Sequence, residues 1–116
     1  MPKRDGDLLL ADILEAATKI RRYTDGMDLE QFKSDSKTTD AVVRNLEIIG
    51  EAAKNLPDSV IQAYPGIPWR QIAGLRNRIV HDYFGVDLEL IWKIVVSNIP
   101  ALLEALGDEW RITSGE

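Results

Sequence analysis

The sequence has no cysteine and a single histidine, His81. Disulfide staples, thiolate zinc sites and thiol nucleophiles are therefore excluded, and one imidazole cannot make up the usual zinc ligand set. A reducing compartment is permitted, and a soluble, cytoplasmic protein is the expectation. Alternation of apolar and polar residues long enough for a β-strand is missing as well, which leaves helical periodicity as the sustained pattern. Positive charge is in short supply: 14 Lys and Arg stand against 19 Asp and Glu, a net charge of -5. A chain-wide basic face, of the kind that binds nucleic acid by electrostatics alone, is thus ruled out. No glycine-rich phosphate loop of the Walker or dinucleotide type occurs. The apolar run at Leu8, Leu9 and Leu10 is interrupted by Asp12 and Glu15 and is followed by no small-residue cleavage site, so it reads as neither signal nor membrane anchor.

What is present suits one helical domain. A chain of 116 residues can bury roughly two-thirds of its unfolded surface without a staple. A first helix is expected from Asp7 to about Tyr23, with Ile13, Ala17 and Ile20 inward, ending before Asp25 and Gly26. One helical turn, "LEQF", follows Asp28. A second long helix should open near Thr38 or Thr39 and run to Leu56 ahead of Pro57, with Val42, Leu46, Ile49, Ala53 and Leu56 as its stripe. A short turn around Ser59–Ala63 leads to "YPGIP". Pro68 then suits the first position of a third long helix that ends at Gly85 and buries Trp69, Ile72, Leu75 and Ile79. Asp87 would cap the last helix, whose stripe is Leu88, Ile91, Val95, Ile99, Leu102 and Leu106, with a kink expected at Pro100. The fold class is all-α, an antiparallel four-helix-type bundle with one or two additional short helices, over a single domain 1–116.

Charge is not spread evenly over that bundle. From Gly66 to His81 the chain carries Arg70, Arg76 and Arg78 with no carboxylate, whereas Asp87 to Glu109 sets Asp87, Glu89, Glu104, Asp108 and Glu109 against Lys93 alone. The stretch "LRNRIVHDYFGVD" concentrates Arg76, Arg78 and His81 within six residues. Arginine offers phosphate oxygens a fixed fork of donors, and histidine titrates near neutrality as a general acid or base, so the composition suits phosphoryl chemistry. Asn77 could orient either group. On an ideal helix Arg76 and His81 point about 140° apart, so they can share a cleft only at a helix end or where a second subunit closes it. Tyr83 returns to the face of Arg76. A carboxylate-held magnesium from Asp40, Glu47 and Glu51 is the weaker reading, since their spacing equally suits a solvated or interface face with Arg44. Trp69, Trp92 and Trp110 fit core or dimer-contact roles better than base stacking.

The chain resembles the HEPN domain, specifically its HepT-like branch, which pairs with MNT-type minimal nucleotidyltransferases in toxin–antitoxin modules. The motif is arginine, four residues, histidine, one residue, tyrosine, filled here by Arg76, His81 and Tyr83, with Asn77 at the polar position after the arginine. The segments "DAVVRNLEIIGEAAKNL" and "IPWRQIAGLRNRIVHDYFGVD", in this order and spacing, carry more of the likeness than the motif alone. The resemblance implies a metal-independent endoribonuclease without a cofactor, acting as a homodimer whose two motifs face each other. Arg76 would hold the scissile phosphate and His81 would act as acid or base while the 2'-hydroxyl of RNA attacks. Arg78 is a candidate RNA contact, and Tyr83 would accept AMP from the partner nucleotidyltransferase. Two other readings stand beside this one: a non-catalytic HEPN module that binds a nucleotide or serves as the substrate-binding subunit of a nucleotidyltransferase, and a helical dimerisation protein in which "RNRIVHDY" merely caps a helix.

Overall fold

The computed structural model describes residues 5–80 and 87–114, giving the backbone alone for 76, 79, 80 and 108–114. Among the described residues the only regular elements are helices. Asp5 opens α1 (Gly6–Thr24), its carboxylate accepting from the Asp7 N–H at 2.8 Å. The turn after α1 needs Gly26, whose φ of 78° is strained for any residue with a Cβ. A reciprocal capping box then starts α2 (Leu29–Ser34): Asp28 accepts from the Gln31 N–H at 2.8 Å, and the Gln31 side chain accepts from the Asp28 N–H at 2.9 Å.

The second long helix, α3 (Ser36–Lys54), begins two to three residues earlier than Thr38 or Thr39, where its start was expected. Asp35 explains the shift, because it closes α2 and caps α3 at once. Its carboxylate takes both the Thr38 N–H (3.1 Å) and the Thr38 hydroxyl (2.8 Å), bonds that hold its pKa below the usual 3.8. The far end closes at Lys54 rather than Leu56, where the Asn55 amide donates to the Glu51 carbonyl at 2.9 Å. The short α4 (Asp58–Ala63) follows Pro57.

Helices α1 and α3 run antiparallel, Leu9 and Asp12 lying beside Glu51 and Asn55 while Ala16 and Lys19 lie beside Asn45. The inward residues read from the periodicity, Ile13, Ala17 and Ile20 on α1 with Val42, Leu46 and Ile49 on α3, are all fully buried. The other side of the core comes from α5 (Trp69–Ala73), α6 (Leu75–Val80), α7 (Leu88–Lys93) and α8 (Ile99–Ser114). Asp87 caps α7 by accepting from the Leu90 N–H. Phe32 of α2 is completely buried and meets the Trp92 ring at 5.1 Å between centroids, and Lys33 of α2 pairs with Glu89 at 3.6 Å, so a six-residue helix is fixed to α7 by an aromatic pair and an exposed ion pair.

Pro100 makes itself felt one turn before its own position. Residues Ile94–Asn98 form a single π-helical turn, in which the Ile99 N–H reaches the Ile94 carbonyl. Proline has no N–H to return to the preceding turn, and widening that turn by one residue reassigns the hydrogen bonds around the gap. The segment Leu88–Gly107 is long and apolar enough to cross a membrane by length and composition. Within the bundle it buries Ile91, Ile94, Val95, Ile99, Leu102 and Leu106 against the other helices.

Truncating the aromatic key of α2 should be costly. Phe32→Ala is expected to lower unfolding stability by about 3–5 kcal/mol, measured by chemical denaturation, whereas an exposed substitution such as Lys93→Gln should stay within about 0.5 kcal/mol of wild type.

Candidate functional site

The segment that carries the motif packs on α3 and places two apolar residues in the core. Trp69 is buried, its ring edge-on to Tyr64 and its Nε1–H donating to the Tyr64 carbonyl at 3.2 Å. Leu75 is buried as well. With those two inward, Arg70, Gln71, Asn77 and Arg78 are left exposed. The expected single helix from Pro68 starts instead at Trp69, with Pro68 as its N-cap, and is broken at Gly74 into α5 and α6. The break is slight. Gly74 keeps a negative φ of -84° with ψ of -4°, its N–H still reaches the Arg70 carbonyl at 3.1 Å, and its own carbonyl accepts from Arg78 at 3.2 Å. Gly74 thus forms a joint between α5 and α6 at which the helical hydrogen bonds on either side are kept.

Arg76 lies in the first turn of α6, where its backbone is described. Asn77 and Arg78 face different cavities. Asn77 lines a notch of about 270 Å³ between the end of α3 and the α5–α6 joint, together with Gly50, Glu51, Lys54, Ala73 and Gly74. Arg78 stands at the edge of a pocket of about 160 Å³ whose walls are mainly apolar, among them Ile72, Leu75, Ile94 and Leu102, with Asn98 as a polar neighbour. Neighbouring positions on α6 therefore diverge, as the 100° step of a helix requires. His81 and Tyr83 lie outside the described residues, as does the helix end expected at Gly85.

The carboxylates of α3 take another arrangement. Glu47 and Glu51 share a groove of about 440 Å³ with Arg44 and Asp12 between α1 and α3, and Asp40 does not line it. Among the described residues no three carboxylate or imidazole side chains converge as metal ligands. Two tryptophans have structural roles in keeping with their expected place in the core: Trp69 is buried, and Trp92 is half-buried against Phe32. The side chain of Trp110 lies outside the described residues.

One residue of the notch escaped the sequence reading. Lys54 is exposed and has no hydrogen-bond or ion-pair partner among the described residues. It sits 23 positions before Asn77 in the chain, and only the packing of α3 against α5 and α6 brings the two together. The available signal was its place at the C-terminal turn of a helix, which ordinarily means no more than a favourable match to the helix dipole.

Comparison with known proteins agrees with the motif. The family model described as Ribonuclease HepT-like matches residues 13–108. A candidate RNase of Methanocaldococcus jannaschii is 42% identical over 116 residues, covering all of this chain and 96% of the relative. A probable ribonuclease HepT of Thermococcus cleftensis is 46% identical over 100 residues, 86% of this chain and 91% of the relative. A candidate RNase of Caldanaerobacter subterraneus is 41% identical over 93 residues, 80% of this chain and 83% of the relative. No solved structure matches significantly. With all-helical architecture, the arginine–histidine–tyrosine motif and full-length similarity in agreement, the chain belongs to the HepT-like ribonuclease family.

Proposed function

We propose that this protein is a metal-independent endoribonuclease, the toxin half of a two-protein module, which cuts RNA at a site formed by the motif Arg76–His81. The observation that carries this reading is the family match, which spans the motif and extends over nearly the whole chain. The carboxylate-free run from Gly66 to His81 supports it, since a phosphodiester approaching there meets arginine without competing negative charge.

In this mechanism the nucleophile belongs to the substrate. The 2'-hydroxyl of RNA attacks the adjacent phosphorus as its proton leaves, and the bond from phosphorus to the 5'-oxygen breaks. A 2',3'-cyclic phosphate and a 5'-hydroxyl result. Arg76 holds the non-bridging oxygens and offsets the negative charge that builds up on them. His81 takes the proton of the 2'-hydroxyl or returns one to the departing 5'-oxygen, and a second copy of the motif across a homodimer cleft completes the set. The angle of about 140° between positions 76 and 81 on an ideal helix makes direct pairing within one copy poor, and a second copy of the motif answers it. Tyr83 is the off switch: a partner nucleotidyltransferase transfers AMP from ATP to its hydroxyl and releases pyrophosphate, setting a tethered phosphodiester over Arg76 and His81 as a competitor for RNA.

Expression of wild type beside His81→Ala tests the chemistry. Wild type should arrest growth and leave 2',3'-cyclic phosphate ends on cellular RNA, with cleavage by the variant lower by about 10²–10⁴-fold; equal toxicity from the two would sink the mechanism. The switch is read by intact mass after incubation with the partner nucleotidyltransferase and ATP. Wild type should gain adenylyl units and Tyr83→Phe none, and the same gain in both would remove Tyr83 as the acceptor.

A further inference from the structure

The notch beside Asn77 has a chemistry that the motif does not use. Its walls come from the last turn of α3, with Gly50, Glu51 and Lys54, and from the α5–α6 joint, with Ala73, Gly74 and Asn77. Its volume is about 270 Å³, close to the lower end of the range of ligand-binding clefts. Among the described residues, one cation, one carboxylate and one amide line it, each with a different capacity: Lys54 donates to an anion, Glu51 accepts, and Asn77 does either. The joint leaves space as well. A Cβ built at Gly74 would come no closer than 3.5 Å to the carbonyls of Arg70 and Gln71, and Gly74 itself forms part of the wall. The Arg76 backbone adjoins that of Asn77 in the first turn of α6, so the notch opens one residue along the helix from the motif's arginine.

We infer that the notch is a subsite for the nucleotide adjoining the scissile phosphate, in which the Lys54 ammonium binds the phosphate of that nucleotide. The inference rests on the ribonuclease reading and deepens it. Two features favour a single nucleotide over a longer polyanion. Lys54 is the only cation among the described residues that line the notch, and the neighbouring Glu51 carboxylate repels a second phosphate. Glu51 also lines the groove between α1 and α3, where one of its carboxylate oxygens lies 3.5 Å from the Asn55 amide. Lys54 has no such tie among the described residues and is free to turn toward a ligand. It is the wall of the subsite that reaches in from outside the motif.

The test compares wild type, Lys54→Gln, Lys54→Arg and, as an equal charge change on α7, Lys93→Gln. The probe is a short, labelled, mixed-sequence single-stranded RNA with methylated 2'-hydroxyls, bound over a range of salt; unmodified RNA of the same sequence reports kcat and KM. Lys54→Gln should weaken binding about tenfold, raise KM with kcat unchanged, and reduce the slope of log Kd against log salt by about 0.7, the value for one lost phosphate contact on a single strand. Lys54→Arg should restore the slope, and Lys93→Gln should match wild type. If wild type cleaves and Lys54→Gln shows its affinity and slope, the subsite is overturned while the ribonuclease reading stands. An equal loss in Lys93→Gln overturns it too, since the effect would then be one of net charge. Wild type that neither binds nor cleaves RNA overturns both.

Discussion

Burial of Trp69 and Leu75 as α5 and α6 pack on α3 is the constraint on which the candidate site depends. Helix α3 is the hub of the bundle, packing on α1, α2, α5 and α6, and its stripe of Val42, Leu46 and Ile49 is fully enclosed. Once the two apolar residues of α5 and α6 are seated there, the polar positions between and beyond them have nowhere to go but outward. Arg70, Asn77 and Arg78 are accordingly exposed, and at Gly74 the helical hydrogen bonds carry on from α5 into α6. The joint also opens the notch in which Lys54 meets Asn77. A packing requirement of the core thus sets the direction of a strip of surface chemistry.

An acidic protein can act on a polyanion if its positive charge is local. Here the net charge of -5 coexists with a segment, Gly66 to His81, that has three arginines and no carboxylate. Screening confines such a patch to short range, since exposed charges lose most of their influence beyond about 8 Å at physiological ionic strength. Under the ribonuclease reading, this favours modest affinity for RNA with contacts confined to the site over a long electrostatic track. The mixed lining of the α3 notch fits the same economy, with Lys54 and Glu51 side by side among its described residues.

Much of the fold was legible because amphipathic helices announce their buried side. The stripes of α1, α3 and the last helix were inward as expected, and Asp28 and Asp87 began helices through their side chains. The misses have local causes. The early start of α3 came from Asp35 serving two helices at once, and the break at Gly74 had no marker, because glycine there keeps an ordinary φ and looks in sequence like any helical glycine. Pro100 foretold an irregularity, but not that it would take the form of a π-helical turn over Ile94–Asn98. At the candidate site, the motif residues stood next to one another in sequence and were readable. Lys54 was not, since its proximity to Asn77 is a product of tertiary packing between segments that carry no shared pattern.

The central claim is that RNA supplies its own nucleophile to an arginine–histidine site. The most direct measurement offers purified protein a labelled RNA and its 2'-deoxy counterpart of the same sequence in the presence of excess EDTA, with the product ends identified by mass. Cleavage of the RNA alone, leaving 2',3'-cyclic phosphate and 5'-hydroxyl ends, is the predicted result. Cutting of both strands, or RNA products bearing 3'-hydroxyl and 5'-phosphate ends, would contradict it.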